Sequence, residues 1–425
     1  MNEQKYKQYL QILKEELVPA MGCTEPIAIA YAGAKAKEVL GKMPNRCVVK
    51  CSGNIIKNAR CVTVPNTGGL KGIDASATIG IVAGRSEKEL EVISEVEASQ
   101  ISETKKHLEE GFCQVELLDT EVSLHLIVEV YTEDEWASVE IKYAHTNIVK
   151  IIKNNEVIFE VEETPDKYLG VFIDRAILNV EDIYHFANEV RLEDVEELMA
   201  LQMEYNMEMA KEGLTGKYGI GIGKVLVDAH PVGCIETKIK AYTAAASEAR
   251  MSGSPLPVMT NSGSGNQGMT SSIPVIIYAK EKGLSQEALY RGLVFANLIT
   301  IHQKTLIGRL SAFCGAVSAS CASGAAITYL EGGSVEQVAY TITNTLANIS
   351  GIVCDGAKPS CAAKIASSLD GAMMGHHLAM ASQSYEANTG ILKDSIEETI
   401  AAVGRLGRDG MHQTDKEILD IMLGR

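Results

Sequence analysis

Residues 4–18 repeat apolar positions with a helical period, Tyr6, Tyr9, Leu10, Leu13 and Leu17 falling on one stripe, and Pro19 and Gly22 end the run. A second helix is predicted from about Pro26, a favourable first-turn residue. Its apolar run from Ile27 to Ala36 is made of small residues and is expected deep in a core. After Gly41 the texture changes. Residues 46–51 and 61–64 read as strands and 87–110 as helix. Residues 124–131, 137–143, 148–152 and 157–161 are rich in β-branched residues and alternate as a meander, with Asn154 and Asn155 forming one tight turn.

From about residue 180 strands nearly vanish. Helical patterns cover 181–190, 193–212, 235–250, 285–300, 314–330, 335–350, 357–380, 390–404 and 414–423, the last with Thr414 and Glu417 at capping-box spacing. The expected fold class is therefore α+β. A mostly helical domain spans residues 166–425, the N-terminal helices of 1–40 pack on it, and an α+β subdomain at 41–165 holds an antiparallel sheet.

A chain of 425 residues suits two or three domains, and 46% hydrophobic with 22% charged residues describes a globular protein. The net charge of −16 argues against nucleic acid and anionic membrane surfaces as partners, since both call for clustered Lys and Arg. The opening Met1-Asn-Glu-Gln-Lys-Tyr-Lys does not read as a signal peptide, and apolar stretches break before the ~18 residues of a membrane span. Ten cysteines in such a chain read as thiols or metal ligands in a reducing cytoplasm. Cys47, Cys51, Cys61, Cys113 and Cys234, in strand-like or turn contexts, are expected to behave as small buried hydrophobes.

Cys314, Cys354 and Cys361 differ because each sits among Gly and Ala. A buried thiolate is costly unless something positive neutralises it. Three thiols converging there point to a metal centre, and three ligands leave one coordination position open. The loop from Cys354 to Cys361 contains Gly356 and Pro359 and leads into a helix, whose N-terminus stabilises a thiolate. Thiolate ligands suit iron–sulfur and zinc alike. Structural zinc would need a fourth ligand, for which Cys321, His376 and His377 are available. Cys321, two helical turns after Cys314 on the same face, also fits a simple core position.

Two further segments carry candidate chemistry. Asn261, Ser262, Ser264, Asn266 and Gln267, interleaved with Gly263, Gly265 and Gly268, form a loop rich in N–H groups before a helix, which suits a carboxylate or phosphate. No Walker lysine follows it. In Gly22-Cys23-Thr24-Glu25-Pro26 a thiol just ahead of a helix is placed for a lowered pKa, and Glu25 is a possible general acid or base. Lys304 and Arg309 precede Cys314, where a cation could hold a substrate carboxylate, whereas His302 reads as a satisfied histidine.

Together Gly22-Cys-Thr-Glu-Pro26, Ser262-Gly-Ser-Gly-Asn-Gln-Gly268, Leu310-Ser-Ala-Phe-Cys-Gly315 and the Cys354–Cys361 loop resemble the L-cysteine desulfidase family, related to the α-chain of iron–sulfur L-serine dehydratases. The likeness covers nearly the whole chain, and the seven-residue gap between the last two cysteines is similar to the desulfidase branch. The resemblance implies a [4Fe–4S] cluster on Cys314, Cys354 and Cys361, Cys23 as a catalytic thiol, and release of sulfide, ammonia and pyruvate from L-cysteine without pyridoxal phosphate. The alternatives are an L-serine dehydratase with the same cluster, or a non-catalytic thiol or metal-binding protein. The apolar, Ala-rich helices suit a homodimer.

Overall fold

The computed structural model describes residues 1–161, 174–230 and 233–425, so the expected domain boundary at 165/166 lies outside the described residues. Helix α1 (Glu3–Glu16) leads through a short strand β1 (Pro19–Met21) into α2 (Thr24–Leu40). The next strand, β2 (Arg46–Cys51), is followed by α3 (Gly53–Ala59), α4 (Gly72–Ala83) and α5 (Ala98–Glu109) before β3 (Cys113–Leu117). That long crossover returns β3 parallel to β2. The expected meander follows antiparallel as β4 (His125–Tyr131), β5 (Trp136–Lys142), β6 (Ile148–Lys153) and β7 (Glu156–Glu160), in spatial order β3-β2-β4-β5-β6-β7. The sheet is thus mixed rather than purely antiparallel.

Register puts Val49, Val128, Val139 and Ile151 in one cross-strand row on the core face, where α2 and α4 cover them. The opposite face is polar, laced by ion pairs such as Lys50 with Glu129 at 2.8 Å. Two small-residue helices pack here at unusually close range: a Cβ on Gly80 would lie 2.2 Å from the Ala30 carbonyl oxygen. The expected strand at 61–64 makes only an isolated bridge from Thr63 to Lys71. The expected helix at 87–110 is split, because Glu89 takes φ 47° within a 3₁₀ turn and a new helix opens behind Glu97, capped with Gln100. Helices α3 and α4 carried no recognised period; α4 is a short apolar run, which periodicity cannot assign.

The C-terminal half is helical. It contains α6 (Val180–Glu189), α7 (Glu196–Leu214), α8 (Ile222–Asp228), α9 (Ile235–Met251), α10 (Gly265–Glu281), α11 (Gln286–Ile307) and α12 (Gly315–Leu330). These are followed by α13 (Val335–Ile349), α14 (Cys361–Met380), α15 (Ile396–Arg405) and α16 (His412–Leu423). Helix α8 was not anticipated, α10 begins at Gly265 inside the stretch expected as loop, and α16 starts at His412, so Thr414 lies inside the helix and not at a cap. A capping box does occur in this region, at Ser395 and Glu398 ahead of α15.

The two N-terminal helices separate. Tyr9 and Leu13 of α1 join a core with Phe186, Phe295, Ile299, Val317 and Leu346 of the helical half. Ile27 and Ile29 of α2 instead enter the core beneath the sheet, which corrects the expectation that all of residues 1–40 pack on the helical half. The reason is length of apolar face: α2 is buried nearly all round and needs the sheet as well as α4 to cover it. The join between the halves is β1, which pairs antiparallel with β8 (Pro257–Met259) and draws the start of α2 against the loop that opens α10.

Candidate active site

Four helices point their N-termini at one cavity of about 100 Å³, lined by residues that open α2, α10, α12 and α14. The positive ends of these helices favour anionic groups between them. Cys23 is the N-cap of α2, Ser264 of α10 and Cys314 of α12, and Cys361 is the first residue of α14. Cys354 arrives from a loop held to Cys314 by a short antiparallel bridge. The Cys314 N–H donates to the Ile352 carbonyl at 3.1 Å and the Cys354 N–H to that of Ala312 at 2.7 Å. Asp415 of α16 fastens this bridge, accepting from the Ala312 N–H at 2.9 Å and pairing with the buried Lys57 ammonium. Gly356, at φ 96°, lets the loop run against α3, since a Cβ there would stand 2.2 Å from the Lys57 carbonyl oxygen.

Cys23, Cys314, Cys354 and Cys361 therefore share one cavity, as do Glu25 and Lys304. Cys321 does not; it is buried in the helical core behind the site. Burial, and then the nearby Cys354 thiol, push Cys314 up to about 12, and the same causes raise Cys361. Cys314 and Cys361 therefore hold their protons until something strongly cationic ionises them, which is how a metal centre couples to its ligands. Among the described residues, no three or more His, Cys, Asp or Glu side chains converge at single-ion spacing. The donor set, three sulfurs lining one cavity with Lys304 and Lys364 near them, would fit an iron–sulfur cluster, whose ligands are cysteine thiolates.

The Cys23 thiol donates to Glu25 Oε2 at 2.9 Å, and Asn58 donates to Glu25 Oε1 at 3.1 Å. Burial alone would raise Glu25; the neighbouring His145 imidazole and the Cys23 thiol outweigh it and hold the carboxyl down to about 2. His145 stands 3.9 Å from Glu25, an ion-pair distance too long for a direct hydrogen bond. Burial and then the Glu25 carboxylate push the Cys23 thiol well above the ordinary thiol range, against the pull of Arg250. The sequence expectation of a lowered pKa at this helix start is thereby corrected: complete burial beside a carboxylate outweighs the helix end. Lys304, 4% exposed, is drawn down to about 8 by burial, while Cys354 and Cys314 oppose the shift.

Of the loop residues, Ser262, Ser264, Asn266 and Gln267 line the cavity. Asn261 does not, because its amide donates into the core to Asn297 Oδ1 at 3.0 Å. Arg309 reaches the cavity wall but is ion-paired with Glu16 at 3.0 Å. It stands with His145 and Gly263 at the divide from a second hollow of about 320 Å³ lined by Glu15, Glu16, Glu89 and Glu91. The guanidinium inside the cavity belongs to Arg250, at the end of α9, which sequence reasoning missed along with Asn58 and His145. A single Arg in the run Ala244-Ala-Ala-Ser-Glu-Ala-Arg250 was the one available signal for it. Cys47 and Cys51 are core residues under the sheet as expected, but Cys61 and Cys234 are exposed because each sits at a turn outside any core. His302 is satisfied by Glu397 at 2.7 Å.

Cys314, Cys354 and Cys361 thus share one cavity with a Gly-Cys-Thr-Glu-Pro helix start, and comparison with known proteins places such a chain in a family. The serine dehydratase alpha chain family matches residues 87–420, and the chain belongs to that family. It is 50% identical over 420 residues to the UPF0597 protein DSY1109 of Desulfitobacterium hafniense, covering 99% of this chain and 97% of the relative. It is also 47% identical over 427 residues to a UPF0597 protein of Treponema denticola, covering 100% and 99%. Identity to a UPF0597 protein of Lachnoclostridium phytofermentans is 49% over 420 residues, covering 98% and 100%. Family membership makes the protein one of an iron–sulfur serine dehydratase-like group of lyase type. Among the described residues no helix is long and apolar enough to cross a membrane.

Proposed function

We propose that the protein is an L-cysteine desulfidase, a carbon–sulfur lyase that converts L-cysteine to sulfide, ammonia and pyruvate in the cytoplasm without pyridoxal phosphate. The observation that carries this reading is the shared cavity, which Cys314, Cys354 and Cys361 line together with the hydrogen-bonded Cys23–Glu25 pair. The three thiols would hold a [4Fe–4S] cluster. When bound, it supplies an iron with a free coordination position, a Lewis acid for the substrate's sulfur.

The chain's own residues then have definite tasks. Cys23, once its thiol proton has left to solvent, is the base that takes up the substrate's α-proton, and Glu25 Oε2, 2.9 Å from its Sγ, accepts the hydrogen bond of the thiol that forms. Asn58 and His145 keep Glu25 ionised and fixed. Ser262, Ser264, Asn266 and Gln267 orient the amino acid so that its Cα–H faces Cys23. Lys304, buried beside Cys314 and Cys354, balances the anionic charge of ionised sulfurs and leaving sulfide.

Purification without oxygen is expected to yield a brown protein with about four irons per chain that releases sulfide and pyruvate in equal amounts from L-cysteine. L-Serine assayed alongside separates the runner-up, an L-serine dehydratase, the activity after which the matching family is named. A colourless, iron-free protein, or one that binds iron but releases neither sulfide nor ammonia from any amino acid, would overturn the enzyme reading in favour of metal storage or sensing.

A further inference from the structure

Arg250 is 2% exposed, yet its Nε and Nη2 have no hydrogen-bond partner. Nη1 donates to Asn266 Oδ1 at 3.2 Å, and Asn266 is held in turn by Ser247 at 3.2 Å. A guanidinium is always protonated, and leaving its donors unfilled in a buried site is expensive. Glu25, its ionised neighbour, acts on it only as a charge through space, as the Cys23 and Cys361 sulfurs would once ionised. Room for the guanidinium is built into the fold. A Cβ at Gly265 would stand 2.4 Å from Arg250 Nε, so any other residue at the start of α10 would push the guanidinium from its place in the cavity wall. Across the same cavity Gln267, 5% exposed, presents Oε1 with no donor.

An unfilled pair of donors on a fixed, planar fork and an unfilled acceptor facing one small cavity describe the two charged ends of an α-amino acid. We propose that Arg250 is the receptor for the substrate's α-carboxylate, bound through Nε and Nη2, with Gln267 Oε1 accepting from the α-ammonium. This inference rests on the amino-acid lyase reading above and names the subsite that selects its substrate class. The adjacent Nε–Nη2 edge matches the two oxygens of a carboxylate, a geometry that lysine cannot reproduce. Anchoring the carboxylate on Arg250 keeps Cα in the cavity that the Cys23–Glu25 pair lines together with Cys314, Cys354 and Cys361. Arg309 is not needed for this task, being ion-paired with Glu16.

The test uses anaerobically reconstituted holoprotein and two probes that cannot react, L-alanine and L-alaninol, which differ in the carboxylate. Calorimetric titration of wild type, Arg250→Lys and Arg250→Met is run with iron content and thermal melting measured on each. Wild type is expected to prefer L-alanine, with binding falling on the order of 100-fold in Arg250→Met and by an intermediate factor in Arg250→Lys, while L-alaninol binding stays the same. Three results would overturn the proposal: a wild type that binds both probes alike, a loss of both probes together, or a folded Arg250→Met that holds L-alanine as wild type does. Loss of iron together with both probes would mean that Arg250 serves the sulfurs and not the substrate. The two readings fail separately. Arg250-dependent alanine binding without sulfide release sinks the desulfidase reading alone, and cysteine turnover indifferent to Arg250 sinks only this one.

Discussion

Replacing Glu25 by glutamine probes the electrostatics on which proton handling depends. Glu25 is buried, and its carboxyl is held at about 2 against an ordinary value of 4.5, with His145 and Cys23 as the neighbours that overcome its desolvation. A carboxyl depressed in the folded state adds stability above its unfolded pKa and loses it as pH falls through the folded one. Over the full span that contribution is about 3 kcal/mol, of which about 2 kcal/mol is lost by pH 3. Glu25→Gln keeps the size and one acceptor but removes the charge. The variant should therefore be about 3 kcal/mol less stable at neutral pH, and the gap should close as the pH is lowered below 4.5. Urea unfolding of chelated, reduced wild type and variant across pH 3 to 7 measures the difference. Taking it as a difference cancels Glu140 and Asp355, which are also depressed to about 2. A gap that stays constant within about 0.5 kcal/mol over that range would show that Glu25 is not held as an anion, and the acid–base pairing with Cys23 would fall with it.

Other outcomes follow from the same contacts. Cys354→Ala is expected to lose its iron, whereas Cys23→Ala keeps the iron and loses sulfide release; equal iron loss in both, measured by metal analysis, would put Cys23 among the ligands. His376 is buried against Thr328 Oγ1 at 2.8 Å, and burial lowers it from 6.5 to about 4. The unfolded chain thus takes the proton first, and about 3 kcal/mol of stability should drain away as pH drops from 6.5 towards 4, a slope that His376→Gln removes in urea titrations. Gly80→Ala drives a methyl into the Ala30 backbone and should cost about 1–3 kcal/mol by forcing α2 from α4. Gly351→Ala, with nothing within 4 Å of its Cβ, is the matched control and should be near neutral in thermal melts.

Much of this was written locally. The meander from β4 to β7, the asparagine turn and most C-terminal helices follow from alternation and periodicity, because each is a short-range balance of burial and backbone geometry. The cysteine trio and the Gly-Cys-Thr-Glu-Pro helix start could be singled out because thiols beside glycine and a carboxylate at a helix start are chemically unusual in any fold. Partners across the chain were not legible. Nothing near residue 58, 145 or 250 says that an asparagine from α3, a histidine from a sheet loop and an arginine from α9 meet the start of α2. Pairing of β1 with β8 and the Asp415 clamp bring them together over separations of hundreds of residues.

The sequence by itself singled out the reactive groups and most of the helices and strands, since those depend on neighbours a few positions away. Only the tertiary structure decided their state. Convergence of four helix starts buried Cys23 beside an ionised Glu25, so its proton is held more tightly and not less, and it left Arg250 as the cavity guanidinium with open donors while Arg309 closed on Glu16. Protonation and pairing depend on dielectric and distance in three dimensions, and neither quantity exists along a one-dimensional chain.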